Sequence, residues 1–203
     1  MKRIGLFGGS FNPPHLGHLH LAESVHDALS LDEVRLIPSK ISPHRSMAEY
    51  APEADRLEMC RLAALDYDWM KAEDYELQQD QVSYTYNTVR HFADLYPDAE
   101  LYWLIGGDML KSFTTWHRWK EILQLCAIAA VAREPEEYAE LQQVAAELRQ
   151  YGEIYLINVE SYPVSSTKIR EMIRSSQNYP CYLPEKVVQY IKENQLYRQA
   201  PKH

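Results

Sequence analysis

The segment GGSFNPPHLGH, residues 8–18, joins a short apolar run at residues 4–7 to an amphipathic stretch at residues 16–29. The apolar run predicts a buried strand, and the stretch predicts a helix because its apolar side chains recur at spacings of three and four. Gly8 and Gly9 carry no Cβ, so the backbone there can turn tightly and a ligand can approach it closely. The segment is therefore predicted to be a strand-to-helix turn, and the interpretation of the whole chain starts from it.

The start of the predicted helix favours an anion. The first N–H groups of a helix lack intrahelical partners and carry partial positive charge, which suits a phosphate group. His15 and His18 are three residues apart, so they lie side by side on the first turn and can donate to phosphate oxygens. The segment contains neither the Gly-x-Gly-x-x-Gly fingerprint nor a Gly-Lys-Ser/Thr phosphate loop, and no His-Glu-x-x-His zinc motif follows it.

Length and composition narrow the classes of protein. The 203 residues predict a single domain over residues 1–203, and 46% hydrophobic residues suffice for a sizeable core. A net charge of −8 argues against nucleic-acid binding, which needs a basic face. The first apolar run is too short for a signal peptide or a membrane span. We therefore expect no membrane partner. Three distant cysteines show no metal or disulfide spacing, so we expect a cytoplasmic location.

Apolar runs alternate with helical patterns along the chain. We predict strands at 4–7, 34–37, 101–105, 127–132 and 154–159 and an irregular to extended segment at 69–77. Runs without polar alternation are buried on both faces, so the fold class is α/β: a doubly wound, Rossmann-like parallel sheet with crossover helices and a C-terminal helical segment. Ligands of such sheets bind beyond the carboxyl ends of the strands. We therefore expect one crevice formed by residues 8–18, 38–45, 106–108, 162–170 and Arg133.

A second phosphate site is predicted at residues 164–170, which read VSSTKIR. Serine and threonine are good N-cap residues, so a helix is expected to begin here. Lys168 and Arg170 place cations at the helix start, where they oppose the helix dipole. A bound phosphate would remove that penalty. Asp108, which follows a strong strand and two glycines, is likewise suited to cap the next helix.

The two motifs resemble the GGSFNPPHxGH and ISSTxIR signatures of the HxGH nucleotidyltransferases. Residues 83–88, SYTYNT, and residues 43–45, PHR, are similar to segments of the bacterial nicotinate-nucleotide adenylyltransferases, a likeness that runs from Arg3 to Tyr197. This resemblance implies adenylyl transfer from ATP to nicotinate mononucleotide, which yields deamido-NAD and pyrophosphate. It also implies Mg²⁺ carried by the ATP phosphates, with no metal ligands from the protein.

The resemblance assigns roles to individual residues. It implies catalytic roles for His15, His18 and Arg170. ATP would be bound by these three together with Gly8, Gly9, Ser10, Phe11, Gly106, Asp108, Ser165, Ser166 and Thr167. The mononucleotide would be bound by Asn12, Lys40, His44, Arg45, Thr85, Trp116, His117 and Arg133, with Trp116 stacked on the nicotinate ring.

Two segments depart from the family pattern, and several alternatives stay open. Residues 78–81, QQDQ, replace basic and glycine positions, and Glu134-Pro135 replaces Pro-Gly. A phosphopantetheine adenylyltransferase or a cytidylyltransferase would share both phosphate motifs, and a nucleotide-binding sensor without turnover is a further alternative. The preference for the acid over the amide mononucleotide and the oligomeric state, for which a homodimer is one option, are not fixed by the sequence.

Overall fold

A computed structural model describes residues 1–40, 50–80, 84–160 and 162–198. The strands are β1 (Lys2–Gly9), β2 (Glu33–Pro38), β3 (Met70–Ala72), β4 (Ala99–Gly106), β5 (Ala127–Ala132) and β6 (Ile154–Asn158). The helices are α1 (Leu16–Leu29), α2 (Glu53–Ala64), α3 (Thr85–Leu95), α4 (Gly107–Lys111), α5 (Trp119–Leu125), α6 (Pro135–Leu148), α7 (Ser166–Arg174) and α8 (Glu185–Glu193). Short 3₁₀ turns occur at Tyr75–Gln78, Phe113–Thr115 and Pro180–Tyr182.

The strands form one six-stranded sheet in the order β3-β2-β1-β4-β5-β6. β1 pairs in parallel with β4, with Ile4 opposite Leu101, and β4 pairs in parallel with β5, with Trp103 opposite Ile128. β5 pairs in parallel with β6. Since strand order reverses direction at β1, the sheet is doubly wound, and the predicted α/β, Rossmann-like class is confirmed.

Most element bounds agree with the sequence pattern. The predicted helix at residues 16–29 is α1, and the predicted strand at 127–132 is β5. There are two exceptions. β1 extends through Gly8 and Gly9, which were predicted to lie in the turn, and residues 69–77, which contain β3, were predicted only as irregular to extended. A strand of three residues is too short to show a periodic pattern, and a 3₁₀ turn follows it closely.

The described residues cluster into two compact units. The first unit comprises residues 1–8, 21–35 and 84–160, and its core includes Leu6, Leu104 and Ala130. The second unit comprises the described residues within 9–20, 36–80 and 162–198. In the second unit α2 packs against β3 and α8, and Met59 and Ile191 are buried. That residues 1–203 act as a single nucleotidyltransferase domain stays a prediction.

A membrane-crossing helix is not found in the described ranges, because no helix there combines the necessary length and apolar character.

Candidate active site

The first helical turn of α1 is capped by a pair of histidines. The carbonyl oxygen of His15 accepts hydrogen bonds from the N–H groups of His18, at 2.8 Å, and Leu19, at 3.3 Å, so His15 is the N-cap residue. In return, Nδ1 of His18 accepts the N–H of His15 at 3.1 Å, as the third-position side chain does in a capping box. Because Nδ1 is an acceptor, the proton of a neutral His18 sits on Nε2, which makes Nε2 a donor.

The two imidazoles lie against each other, as the spacing predicted. Their ring centroids are 3.6 Å apart with an interplanar angle of 28°. A Cβ placed on Gly17 would lie 3.1 Å from Nδ1 of His15 and 3.2 Å from Cγ1 of Val164. Glycine at this position therefore leaves room for the His15 ring and Val164, which a Cβ would have to displace by a few tenths of an ångström.

The backbone before the helix owes its shape to Phe11 more than to the glycines. No glycine has a positive φ, whereas Phe11 has φ 42°. The space beside Gly8 is filled by the indole of Trp103, 2.6 Å from an ideal Cβ, and the space beside Gly9 by the ring of Phe11, at 3.2 Å. On these faces the glycines make room for aromatic side chains rather than for a ligand. The left-handed conformation of Phe11 costs on the order of 1–3 kcal/mol. The fully buried ring of Phe11 holds the backbone in this conformation.

The second motif holds the first through hydrogen bonds to its backbone. Ser165 caps α7 as predicted, since its Oγ accepts the N–H of Lys168 at 3.2 Å. Oγ of the buried Ser166 donates to the carbonyl oxygen of Pro13 at 2.9 Å. Nη1 of Arg170, also buried, donates to the carbonyl oxygen of Asn12 at 2.9 Å. The two sequence motifs are thus joined directly, although more than 150 residues separate the partners.

Asn12 is a structural anchor in this arrangement. Its side chain is 1% exposed, and its Oδ1 accepts hydrogen bonds from the Ala51 N–H and from the Tyr197 hydroxyl, both at 2.9 Å. Burial raises the pKa of Tyr197 above its usual value, so its hydroxyl keeps the proton it donates. The resemblance placed Asn12 at the mononucleotide, but in the structure its amide oxygen serves the protein.

Two residues at this site were missed by sequence reasoning. Tyr197 could not be found, because it lies after the last helix in a segment without a motif. Arg56 carried a faint signal: it interrupts the apolar stripe of α2, which includes Met59 and Cys60. Nη1 of Arg56 donates to the carbonyl oxygen of Ser10 at 2.9 Å.

In the first unit, the turn after β4 is supported by Glu137. Its Oε2 accepts the N–H of Arg133 at 2.7 Å, and its carboxylate fills the space where Gly107 lacks a Cβ. Gly106 occupies the N-cap position of α4, and Asp108 lies exposed in the first turn without a capping bond. The expectation that Asp108 caps the helix is therefore wrong, because the turn places the cap two residues earlier.

Of the predicted mononucleotide residues in the first unit, His117 lies beside the start of α3. The ring of His117 is 4.7 Å from that of Tyr84, the N-cap residue of α3, and half-buried Thr85 begins that helix. Half-buried Trp116 contacts the buried Phe113, with ring centroids 5.1 Å apart. The ring of His117 thus lies beside both Tyr84 and Tyr86, the neighbours of Thr85 in sequence.

The remaining candidates are placed as follows. Lys40 lies in the second unit, with its Nζ 3.8 Å from Oδ1 of Asp80. His44 and Arg45 lie outside the described residues. Within the parts of the chain that the structure describes, no group of three or more His, Cys, Asp or Glu side chains could hold a metal ion.

Comparison with known proteins places this geometry in a family. Residues 6–172 match the family model described as cytidylyltransferase-like. The nicotinate-nucleotide adenylyltransferase of Bacillus subtilis is 35% identical over 197 residues, which cover 97% of this chain and 99% of that protein. The chain belongs to the nicotinate-nucleotide adenylyltransferase family. A protein of Geobacillus thermodenitrificans, named "Probable nicotinate-nucleotide adenylyltransferase", is 36% identical over 197 residues, which cover 97% of this chain and 87% of that protein.

A solved structure agrees with the family fold. The nicotinic acid mononucleotide adenylyltransferase of Plasmodium falciparum, complexed with NaAD, superimposes with a TM-score of 0.81 at 17% identity, covering all of both chains. At that identity the likeness supports the fold alone. The adenylyltransferase family suggested by the motifs and the Rossmann-like fold predicted from the alternation of strands and helices are therefore both confirmed, while the roles of single residues stay predictions.

Proposed function

We propose that the protein transfers the adenylyl group of ATP to nicotinate mononucleotide, giving deamido-NAD and pyrophosphate. The observation that carries this proposal is the direct joining of the two phosphate motifs. Ser166 and Arg170 bind the carbonyl oxygens of Pro13 and Asn12 and so fix the approach to the His15–His18 helix start. Family membership, at about 35% identity over nearly the whole chain, points to the same reaction.

The chemistry requires alignment and charge stabilisation rather than a protein nucleophile. A phosphate oxygen of nicotinate mononucleotide forms a bond to the α-phosphorus of ATP. The bond from that phosphorus to the bridging oxygen breaks, and pyrophosphate leaves with the electron pair. The attacking oxygen is already anionic, so no general base is needed. Mg²⁺ would enter as part of the MgATP substrate and would offset the negative charge of its phosphates.

His18 is the residue best placed to stabilise developing charge. Its Nδ1 accepts the His15 N–H, so the proton of the neutral ring is on Nε2, which we expect to donate to a phosphate oxygen. It acts beside the N-terminus of α1, whose partial positive charge favours the same phosphates. Such preorganised donors lower the barrier because they need no reorganisation during the reaction.

Other residues are assigned by substrate group. Ser165, Thr167 and Arg170 would hold the phosphates that leave as pyrophosphate. Gly106 and Asp108 would bind the adenosine end of ATP. The mononucleotide would be bound by Thr85, Trp116, His117 and Arg133, with the half-buried indole of Trp116 offering a face for the nicotinate ring.

Pyrophosphate release tests the reaction. The protein is mixed with MgATP and, separately, with nicotinate mononucleotide, nicotinamide mononucleotide, phosphopantetheine and glycerol 3-phosphate. We expect rapid release with nicotinate mononucleotide and much slower release with the other three. Release with phosphopantetheine or glycerol 3-phosphate alone would replace the proposed substrate. Tight ATP binding without any release would favour a nucleotide sensor.

A cytoplasmic location is proposed from the cysteines. Cys60, Cys126 and Cys181 are all free thiols. Burial raises the pKa of Cys126 to about 12, so this thiol stays protonated and unreactive. Free cysteines of this kind suit a reducing compartment.

A further inference from the structure

Arg56 is an arginine with an unusual environment. Its side chain on α2 is 0% exposed. Nη1 donates to the carbonyl oxygen of Ser10, and the guanidinium carbon lies 5.5 Å from the centroid of the Tyr50 ring. Nε and Nη2 are buried without a hydrogen-bond partner, and no carboxylate among the described residues forms an ion pair with Arg56.

Such an arrangement opposes folding. A buried charge without an ionic partner loses its hydration, and each unsatisfied N–H adds to that cost. Burial also lowers the pKa of Arg56 below its usual value, although arginine remains charged at neutral pH. Arg35 shows the ordinary solution in the same chain: it is buried too, but Glu33 accepts its Nε–H at 2.9 Å.

Arg56 contacts the phosphate turn, which is the segment at residues 8–18. In a trans peptide the C=O and the following N–H point in opposite directions. Because Arg56 holds the carbonyl oxygen of Ser10, the N–H of Phe11 points away from Arg56. Arg170 and Ser166 hold the carbonyl oxygens of Asn12 and Pro13 in the same turn. Carbonyl oxygens would repel a phosphate, so donors that draw them toward the protein favour anion binding.

We propose that Arg56 is a positioning residue for the triphosphate: it orients the Ser10–Phe11 peptide, sets a fixed positive charge beneath the turn, and is retained at a cost in stability. This inference rests on the proposed function in one respect, because it takes the anion to be the ATP phosphates. The proposal and a purely structural role predict opposite effects on stability, since a structural arginine would stabilise the fold and Arg56 is proposed to destabilise it.

The test compares Arg56→Met and Arg56→Lys with Arg61→Met. Arg61 is the matched control, because it lies on the same helix with a half-exposed side chain that pairs with Glu58. Titration calorimetry measures the affinities for MgATP, inorganic pyrophosphate and adenosine, and a thermal melt measures Tm. We expect Arg56→Met to bind MgATP and pyrophosphate at least tenfold more weakly, with adenosine affinity unchanged and Tm equal to or above wild type.

The lysine variant separates charge from shape. Arg56→Lys keeps the charge but not the planar fork, so its affinity for pyrophosphate should fall between those of wild type and Arg56→Met. Arg61→Met should match wild type in every measurement. Wild-type pyrophosphate affinity in Arg56→Met would overturn the proposal, as would an unfolded or strongly destabilised Arg56→Met. If Arg56→Lys binds pyrophosphate no more tightly than Arg56→Met does, the proposed contribution of the charge is overturned.

These measurements do not depend on turnover. If the wild-type protein binds MgATP but releases no pyrophosphate with nicotinate mononucleotide, the proposed function fails while the role of Arg56 is still decided by binding. If turnover occurs but Arg56→Met binds pyrophosphate normally, only the inference about Arg56 fails.

Discussion

Nδ1 of His18 accepts a hydrogen bond from the backbone N–H of His15, at 3.1 Å. The same ring therefore caps α1 and, when neutral, carries its proton on Nε2, so we expect one side chain to serve both the helix and a bound phosphate. These two contributions can be separated by substitution, because the acceptor oxygen of asparagine, like Nδ1 of histidine, lies two bonds from Cβ.

His18→Ala should lower kcat/KM by two or more orders of magnitude, about 3 kcal/mol for one charge-stabilising donor. His18→Asn should lose activity to a similar degree but keep a Tm near wild type, since its side-chain oxygen can still accept the His15 N–H. Pyrophosphate-release kinetics and a thermal melt measure both effects. His26→Ala, in the last turn of the same helix, is the control and should retain activity. A rate within about threefold of wild type in either His18 variant would remove His18 from the mechanism.

Trp116→Ala should raise KM for nicotinate mononucleotide and leave KM for ATP nearly unchanged, because the half-buried indole would stack on the nicotinate ring. Steady-state kinetics with each substrate varied in turn measure the two constants. Trp119→Ala provides the control, since Trp119 also contacts Phe113 but packs on Tyr151. Equal increases in both KM values would mean that Trp116 contributes packing alone.

Tyr197→Phe should weaken the anchor of Asn12. The substitution removes one of the two hydrogen bonds to Oδ1 from Ala51 and Tyr197. We expect the free energy of unfolding to fall by about 1 kcal/mol and KM for ATP or for nicotinate mononucleotide to rise. Urea denaturation and pyrophosphate-release kinetics measure these changes. Tyr190→Phe removes a hydrogen bond to Asp55 instead, so it should lose stability while KM stays at the wild-type value. A wild-type KM in Tyr197→Phe would show that the anchor is dispensable for binding.

Glu33→Gln should reduce stability at pH 7 and lose this effect in acid. Burial pushes the pKa of Glu33 upward, but hydrogen bonds from Arg35 and Lys2 outweigh it, so the pKa lies below the ordinary 4.5. The unfolded state therefore binds a proton at a higher pH than the folded state, and the contribution is lost as pH falls through the folded pKa. Urea denaturation between pH 7 and 3 should show a gap on the order of 2 kcal/mol that closes below pH 4.5. A gap that is constant with pH would contradict this pairing.

The sequence was most informative where burial is uniform. Strands such as Ala127–Ala132 are continuous apolar runs because helices cover both faces of the sheet. The first and last apolar residues of such a run therefore mark the ends of the strand. The cap at Ser165 was predictable for a different reason, since it depends on neighbouring residues only. β3 was not predictable, because three residues leave no period to detect.

The site was predictable as a set of motifs but not as a network. Local spacing places His15 beside His18, and the structure has their rings stacked. The roles of Arg56 and Tyr197 depend on contacts with residues 46 and 185 positions away, which no local pattern records. Gly8 shows a further limit: the sequence suggests space for a ligand, whereas Trp103 from another strand fills that space.

The contact between Tyr197 and Asn12 has a consequence for how the protein is made. Three anchors of residues 8–18, namely Ser166, Arg170 and Tyr197, leave the ribosome more than 150 residues after the residues that they hold. The phosphate turn therefore cannot take its final form during most of translation, and its assembly waits for these late residues. Prematurely terminated chains that stop before α7 would carry the complete HxGH motif and still fail to capture ATP.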